Sequence, residues 1–283
     1  MILTTLAVER MSLELSTMTS SSSELKSSRY SFSSSVRRSS GAPREMLVEP
    51  FETRLLAGDV GGCWDLVTDA LRGGAAPSEV HHRLLHPALV RVGERWADGE
   101  ISIAAEHRAT STANRIIGQL GPLFRHPGRR RGTVVIGAVA GDPHALPSAM
   151  VTDLLTDRRL DVVDLGANTP TASFVETASE VDDLVGVGVC VVLEALADSA
   201  IAQVTELREA LPSTLLIAGG AGIVRHRERL SGVVDQVTET AEQVCDAFEA
   251  AATGTSAGDP VAETESTAER DPVAESDPVA ESD

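Results

Sequence analysis

The spacing of apolar residues is helical from Met46 to about residue 125. Apolar positions recur there every three to four residues, which is the period of helices that bury one face. Pro77 opens the third of these helices, Pro87 lies inside it and predicts a kink, and Ser102 is a typical cap of the fourth. The predicted helices cover residues 47–56, 60–71, 77–96 and 102–120. Four helices joined by short turns predict a small bundle over residues 46–125.

The pattern changes after residue 131, where short β-branched runs alternate with helical stretches. The predicted strands are 133–139, 161–165, 184–193, 214–218 and 233–237, and the predicted helices are 148–157, 171–180, 197–210, 221–229 and 239–251. Such alternation predicts a parallel sheet covered on both faces. The predicted fold class is therefore α/β, with a four-helix bundle cap followed by a flavodoxin- or Rossmann-like five-stranded sheet over residues 132–253. The favoured strand order is 2-1-3-4-5, whose switch point lies between strands 1 and 3.

Both ends of the chain have the composition of disordered segments. Residues 1–45 are rich in serine and poor in large apolar groups, and residues 254–283 repeat the acidic sequence Asp-Pro-Val-Ala-Glu. Neither segment can bury enough apolar surface to offset the entropy lost on ordering. We therefore expect two solvated tails around the bundle and the sheet.

The charge balance argues against a nucleic-acid surface. Residues 1–45 carry six bases and four acids, and residues 254–283 carry one base and nine acids, so the segment between them holds −12 of the net −18. Binding to phosphates needs clustered basic residues, so no direct nucleic-acid partner is expected. The only lysine is Lys26, which excludes Schiff-base chemistry and a P-loop from the predicted domains.

Localisation is predicted from three further observations. The three cysteines form no Cys-x-x-Cys pair, which is typical of free thiols in a reducing compartment. No charged region precedes the first apolar residues, so a signal peptide is not expected. The longest apolar run is too short to cross a bilayer. The sequence therefore predicts a cytoplasmic protein without a membrane partner.

His144 is the first candidate functional residue, because it follows predicted strand 1 and so lies at the switch point of the sheet. Asp142, two residues earlier, can accept the proton of one ring nitrogen and leave the other as a lone pair for a metal. The alternative is a chance Asp-x-His in a chain that has seven histidines. The position after a strand favours the metal-ligand interpretation.

Glycines supply a second set of candidates. Gly219 and Gly220 follow predicted strand 4 and allow a close approach of the backbone to a ligand, although an ordinary strand-to-helix turn would also explain them. Gly186 and Gly188 lie within predicted strand 3, where a packed core strand would carry side chains. Their missing side chains indicate that another group packs beside that strand.

A third set lies in the predicted bundle. Trp96 ends one helix and Glu106 and His107 open the next, so all three are expected at the same end of the bundle. An aromatic ring beside a carboxylate and an imidazole could cover a flat ligand. The alternative is a core tryptophan with a solvated Glu-His pair.

Together these residues resemble the cobalamin-binding domain family, which methionine synthase, corrinoid methyl carriers and light-responsive B12-dependent transcriptional regulators share. The family signature is Asp-x-His-x-x-Gly, then a Ser-x-Leu-like element, then Gly-Gly. The likeness covers roughly residues 47–252, and the helical half is most similar to the cap of the regulator branch. The matching stretches are 94–100 and 105–107 in the bundle, and 142–144, 188–190 and 219–220 in the sheet half.

The resemblance implies a cobalamin, as adenosylcobalamin or methylcobalamin, held between the bundle and the sheet. It implies that His144 is the lower axial ligand of cobalt, in place of the cofactor's dimethylbenzimidazole, with Asp142 as its hydrogen-bonding partner. The other cofactor-binding residues that it implies are Trp96, Glu106 and His107 over the upper face, and Gly188, Gly219 and Gly220 beside the nucleotide tail.

Three positions depart from the family pattern. Pro147 replaces the glycine that follows the histidine, and Gly188 replaces the serine that hydrogen-bonds the displaced benzimidazole. Ala97 stands where light-sensing regulators have a histidine that captures cobalt after photolysis. The helix-turn-helix that usually precedes the bundle in those regulators is replaced by the serine-rich segment.

The leading hypothesis is a cobalamin-binding sensor without its own DNA-binding domain, which signals through a protein partner and is not itself an enzyme. One alternative is a corrinoid methyl carrier of a methyltransferase system. Another is a B12-binding fold that has lost its cofactor and serves as an interaction domain. The expected protein partner is accordingly a transcriptional regulator or a methyltransferase, and homo-oligomerisation stays open.

Overall fold

The computed structural model describes residues 47–254, so the two predicted tails lie outside the described residues. The helical half comprises α1 Val48–Ala57, α2 Val60–Arg72, α3 Pro77–Val80, a π turn His81–Leu85, α4 His86–Ala97 and α5 Ile103–Leu120. The second half comprises β1 Thr133–Ala138, α6 Leu146–Asp157, β2 Asp161–Asp164, α7 Thr171–Glu180, β3 Leu184–Cys190, α8 Ala197–Ala210, β4 Leu215–Gly219, β5 Gln236–Thr238 and α9 Ala241–Ala252.

The starts of the bundle helices follow from local capping. The carboxylate of Asp59 accepts a hydrogen bond from Gly62 N (2.8 Å), and Ser102 Oγ accepts one from Ala105 N (3.3 Å). Each bond satisfies an amide that has no partner within its own helix. The third predicted helix, in which Pro87 predicts a kink, is instead divided into α3, the π turn and α4. Pro87 lacks an amide hydrogen, so a local change in the hydrogen-bonding pattern is the expected response.

The sheet is parallel and has the order β2-β1-β3-β4-β5, which confirms the predicted fold class. In the register, Ile136 of β1 pairs with Gly188 of β3, and Gly188 pairs in turn with Ile217 of β4. The carboxyl ends of β1 and β3 are therefore neighbours, and the chain leaves them in opposite directions. That edge is where open parallel sheets bind ligands.

Three elements differ most from their predictions. The last strand is Gln236–Thr238, whereas residues 233–237 were predicted. The helix predicted over 221–229 is a 3-10 segment, Val224–Leu230, which is interrupted at His226 (φ −100°, ψ 18°). Four of its seven residues are arginine or glutamate, so it has no apolar stripe to hold an α-helix against the sheet. Strand β3 ends at Cys190 instead of residue 193. The amides of Val192 and Leu193 leave the strand to bind the side chain of Asp142.

One apolar core joins the bundle to one face of the sheet. It contains bundle residues such as Phe51 and Leu84 together with Leu155 of α6 and Phe248 of α9. The other face of the sheet is covered by α7 and α8, where Phe174 lies in a separate core. The bundle therefore packs against the layer formed by α6 and α9.

Polar contacts follow the same boundary between the bundle and the sheet half. His81 Nε2 lies 3.1 Å from Asp153 Oδ2 of α6, and His82 Nε2 lies 3.1 Å from Glu242 Oε1 of α9. Both histidines belong to the π turn. Within residues 47–254, no helix combines the length and the hydropathy needed to cross a bilayer.

Candidate functional site

His144 lies in the loop between β1 and α6, and its side chain is completely buried. The loop leaves β1 through Gly141, whose φ of +84° favours glycine. Gly141 N donates a hydrogen bond of 2.6 Å to Asn168 Oδ1, and Asn168 N donates one of 2.8 Å to the carbonyl of Asp142. Asn168 has a φ of +53°, a region that asparagine tolerates. The loop after β2 thus fixes the loop that carries the histidine.

Asp142 uses both oxygens of its buried carboxylate. Oδ1 accepts a hydrogen bond from His144 N (3.2 Å) and contacts His144 Nδ1. Oδ2 accepts hydrogen bonds from Val192 N (2.7 Å) and Leu193 N (3.4 Å). The negative charge is therefore compensated by four N–H groups, which fixes the orientation of the carboxylate. The structure brings together the two residues that the Asp-x-His spacing predicted.

The second ring nitrogen of His144, Nε2, is buried and has no hydrogen-bond partner among the described residues. Because Nδ1 contacts the carboxylate, Nδ1 carries the proton and Nε2 presents a lone pair. A buried acceptor without a partner costs free energy unless a ligand satisfies it. A neutral imidazole with one nitrogen engaged and the other free is the arrangement that an axial ligand of a transition metal needs.

His144 Nε2 can serve as a single protein ligand to a metal that is already held in a macrocycle. Residues 47–254 hold no cluster of three His, Cys, Asp or Glu side chains that could bind a bare ion. A metal already held by the nitrogens of a ring, as in haem, takes only axial ligands from the protein. His144 offers one such ligand, so the residues present fit the cobalt of a corrin.

Two titratable groups near this pair, Cys190 and Asp164, are not among the predicted site residues. Cys190 ends β3, and burial, together with the negative charges of Asp142 and Asp164, raises the pKa of its thiol to about 12. Burial also raises the pKa of Asp164, opposed by hydrogen bonds from Gly166 N (2.9 Å) and Ser148 Oγ (3.4 Å). The only signal in the sequence was the position of Asp164 and Cys190 at the ends of strands.

Gly219 and Gly220 have packing reasons of their own. A β-carbon on Gly219 would lie 2.4 Å from Thr238 Oγ1, and one on Gly220 would lie 2.3 Å from the carbonyl oxygen of Val191. Gly220 also has a φ of +108°. Both glycines are thus required by the close approach of β4 to its neighbours. Their contact with a nucleotide tail stays a prediction.

The space beside β3 is filled by the ring of Phe248. A β-carbon on Gly186 would lie 2.9 Å from Phe248 Cε1, and one on Gly188 would lie 3.4 Å from Phe248 Cε2 and Cζ. The sequence indicated that another group packs beside this strand. In the structure that group is a side chain of α9.

The predicted cap residues have different environments. Trp96 is 8% exposed but belongs to neither apolar core, and Glu106 is completely buried with Oε1 accepting a hydrogen bond from Thr110 Oγ1 (2.8 Å). The side chain of His107 is 48% exposed, and its Nε2 lies 3.6 Å from Glu106 Oε2. The structure thus brings Glu106 and His107 together. Their relation to an upper face of a cofactor stays a prediction.

Comparison with protein-family models gives two matches along the chain. Residues 47–120 match one B12 binding domain model, and residues 132–249 match a second. The first range contains the bundle and the second contains the whole parallel sheet. Both halves of the molecule are therefore similar to domains described as binding B12.

Curated relatives and a solved structure agree with this result. This chain is 30% identical over 120 residues to trimethylamine corrinoid protein 1 of Methanosarcina acetivorans, and the match covers 41% of this chain and 56% of the relative. It is 28% identical over 124 residues to a dimethylamine corrinoid protein of Methanosarcina barkeri, and that match covers 43% of this chain and 58% of the relative. The chain thus spans little more than half the length of these curated relatives.

The fold is similar to the solved structure of the monomethylamine corrinoid protein of Methanosarcina barkeri. The TM-score is 0.62 at 17% sequence identity, and the match covers 71% of this chain and 96% of that chain. At this identity the likeness concerns the fold alone. It includes both the helical half and the sheet.

Proposed function

The chain belongs to the B12-binding domain family and takes cobalamin as its cofactor, and on that premise we propose that it is a corrinoid carrier. It would hold cobalamin through His144 and present it to protein partners that add and remove a methyl group. The observation that carries this proposal is the buried pair of Asp142 and His144 at the switch point, with Nε2 left without a partner. Methyltransferases are the partners that such a carrier needs.

When bound, cobalamin supplies a cobalt that takes up and gives away a methyl group. The protein's contribution is made by its own residues. Asp142 Oδ1 holds the proton on His144 Nδ1, and Oδ2 is held by the amides of Val192 and Leu193, so Nε2 keeps a fixed direction.

The relatives favour the carrier over the sensor that the bundle residues predicted. The proteins reported above are named as corrinoid proteins of methylamines, and a carrier of this kind fits both domains of the chain. The sensor is the second candidate, supported by Trp96 and Glu106 at the end of the bundle. Ala97 counts against it, because alanine has no group that can bind a metal after loss of an upper ligand.

The first test is the substitution His144→Ala. Wild-type protein mixed with aquacobalamin and desalted is expected to retain the cofactor, with an absorbance spectrum in which a protein imidazole replaces the dimethylbenzimidazole. The variant is expected to bind at least about tenfold more weakly and to lose that spectral signature, because cobalt has no axial ligand from the protein.

His126→Ala is the matched control for this experiment. His126 is exposed and pairs with Asp157 at the end of α6, away from the carboxyl edge of the sheet. The His126→Ala variant should bind cobalamin as the wild type does. If the wild type retains no cobalamin, or if His144→Ala gives an unchanged spectrum, the proposed ligation is wrong.

A second experiment separates the carrier from the sensor. Protein loaded with methylcobalamin is incubated in the dark with homocysteine and a homocysteine methyltransferase, and the methylated thiol is measured by mass spectrometry. A carrier should lose its methyl group to the thiol, and its elution in size-exclusion chromatography should be the same before and after illumination. A sensor should keep the methyl group in the dark and change its elution on illumination.

A further inference from the structure

Phe248 lies at the centre of α9 and its side chain is completely buried. Its ring packs on the face of β3 where Gly186 and Gly188 leave room, at the contact distances given above. Ile136 of β1 borders the same space, since a β-carbon on Gly188 would lie 3.3 Å from Ile136 Cγ1. The ring is thus accommodated by two glycines of the strand that neighbours β1.

This space lies on the face of the sheet that is covered by the helix following the candidate cobalt ligand. His144 is in the loop that enters α6, and Leu155 of α6 lies in the same core as Phe248 of α9. The opposite face is covered by α7 and α8, and Gln203 of α8 accepts a hydrogen bond from Ala140 N of that loop (2.9 Å).

Ligation by His144 has a consequence for the rest of a cobalamin. The dimethylbenzimidazole that it displaces remains tethered to the corrin ring and must lie on the same side of the ring as the histidine. A nucleotide of that size is larger than a phenyl ring, and protein interiors are packed at the density of organic crystals. The space beside Gly186 and Gly188 cannot hold the nucleotide and the side chain of Phe248 together.

We propose that Phe248 controls whether the nucleotide tail can enter the space beside Gly186 and Gly188, and so determines how well the chain discriminates between corrinoids with and without a lower nucleotide. This inference rests on the proposed corrinoid-binding function. The nucleotide of a complete cobalamin competes with the Phe248 ring for the space beside Gly186 and Gly188. Cobinamide, which has the same corrin ring without the nucleotide, does not compete.

The test compares the affinities of two probes for the cofactor-free full chain. Aquacobalamin and diaquacobinamide are titrated separately and followed by absorbance, for the wild type and for Phe248→Leu and Phe248→Ala. The leucine variant keeps an apolar side chain and protects the fold, because it removes less buried volume than the alanine variant. Circular dichroism checks that each variant is folded.

Phe174→Leu is the matched control. Phe174 is also completely buried against a strand glycine, since a β-carbon on Gly137 would lie 3.1 Å from Phe174 Cζ, but it lies on the opposite face of the sheet. Its substitution should change the two affinities equally. Any general effect of loosening the core is thereby separated from an effect on the tail.

The expected result is a shift in the ratio of the two affinities toward cobalamin, by about tenfold or more, in both Phe248 variants and not in Phe174→Leu. An unchanged ratio in the Phe248 variants, with both probes still bound, overturns the proposed role of Phe248 and leaves the carrier intact. If no variant and no wild-type protein binds either probe, the corrinoid-binding function fails, and the role of Phe248 fails with it.

Discussion

Asp142 is the residue on which the candidate site depends most. One oxygen orients the imidazole of His144, and the other binds two backbone amides of the segment after β3. A carboxylate is the smallest side chain that can accept on both sides at once. The position of the histidine is therefore coupled to the end of β3 as well as to its own loop.

Replacing Asp142 by asparagine should weaken both functions of the side chain. An amide has one oxygen that can accept, so either the contact with His144 Nδ1 or the bonds from Val192 and Leu193 are lost. We expect the free energy of unfolding of the cofactor-free protein to fall by about 1–3 kcal/mol, as measured by urea denaturation. We also expect weaker retention of cobalamin.

The control for this substitution is Asp69→Asn on α2. Asp69 is exposed and pairs only with Arg72 at 3.2 Å, so its replacement should change the stability by less than about 1 kcal/mol. If both variants are equally stable, the carboxylate of Asp142 does not have the structural role assigned to it.

Some of this site was predictable from the sequence and some was not. The contact of Asp142 with His144 follows from a spacing of two residues after a strand, which is a local property. The partners Val192 and Leu193 contribute backbone amides, which leave no trace in the residue types. Phe248 fills the space beside Gly188 from about sixty residues away, and no spacing rule predicts which distant side chain does so.

At the scale of elements, the π turn His81–Leu85 connects the bundle with the sheet half. Two consecutive histidines of this turn reach different helices, since His81 lies beside Asp153 of α6 and His82 beside Glu242 of α9. A turn of this type inside a helix often marks a functional position. The π turn therefore contributes polar contacts to both helices of the sheet half that face the bundle.

The pKa of His82 gives the boundary between the two halves a pH dependence. Burial lowers the pKa of His82, and His81 and Arg158 lower it further, while Glu242 opposes the effect. The folded state therefore binds fewer protons than the unfolded state below the ordinary histidine pKa of about 6.5. The free energy of unfolding should be level above that pH and should fall as the pH is lowered from about 6.5 toward the pKa of the folded state.

The substitution His82→Gln should flatten this dependence. Thermal unfolding of the wild type and the variant is compared at a series of pH values from about 7.5 to about 5.5, with exposed His126→Gln as the control. The loss of melting temperature on acidification should be smaller in His82→Gln and unchanged in the control. Equal losses of melting temperature in all three proteins would show that His82 does not contribute to the pH dependence of stability.

The elements themselves were largely predictable, because strong periodicity and capping residues lie within each one. The bounds of α7 and α8 agree with those predicted, and Ser102 caps α5 as expected. The exception is the 3-10 segment Val224–Leu230, which lies between glycines and a short last strand. Its charged residues carry no periodic signal, so its conformation depends on tertiary contacts.

At the scale of the whole molecule, the bundle and the α6–α9 layer share one apolar core. A shared core means that neither half buries its apolar surface alone. The sequence predicted two domains from a change of period, but periodicity reports which face of an element is buried and not what covers it. The packing of Leu84 and Leu155 in one core could therefore only be seen in the structure.

The shared core predicts that both halves unfold together. The two tryptophans, Trp64 and Trp96, both lie in the bundle, so their fluorescence reports on that half alone. Circular dichroism reports on the helices of both halves. In a urea titration of the cofactor-free protein, the two signals should give the same midpoint. Separate midpoints would mean that the halves are independent domains.

The complete burial of His144 bears finally on how quickly the protein can become loaded. A corrin ring cannot reach a covered nitrogen by diffusion alone, so the covering groups must first move aside. If a corrinoid binds at this nitrogen, loading should proceed through a rare open form, and its observed rate should reach a plateau at high corrinoid concentration, set by the opening step.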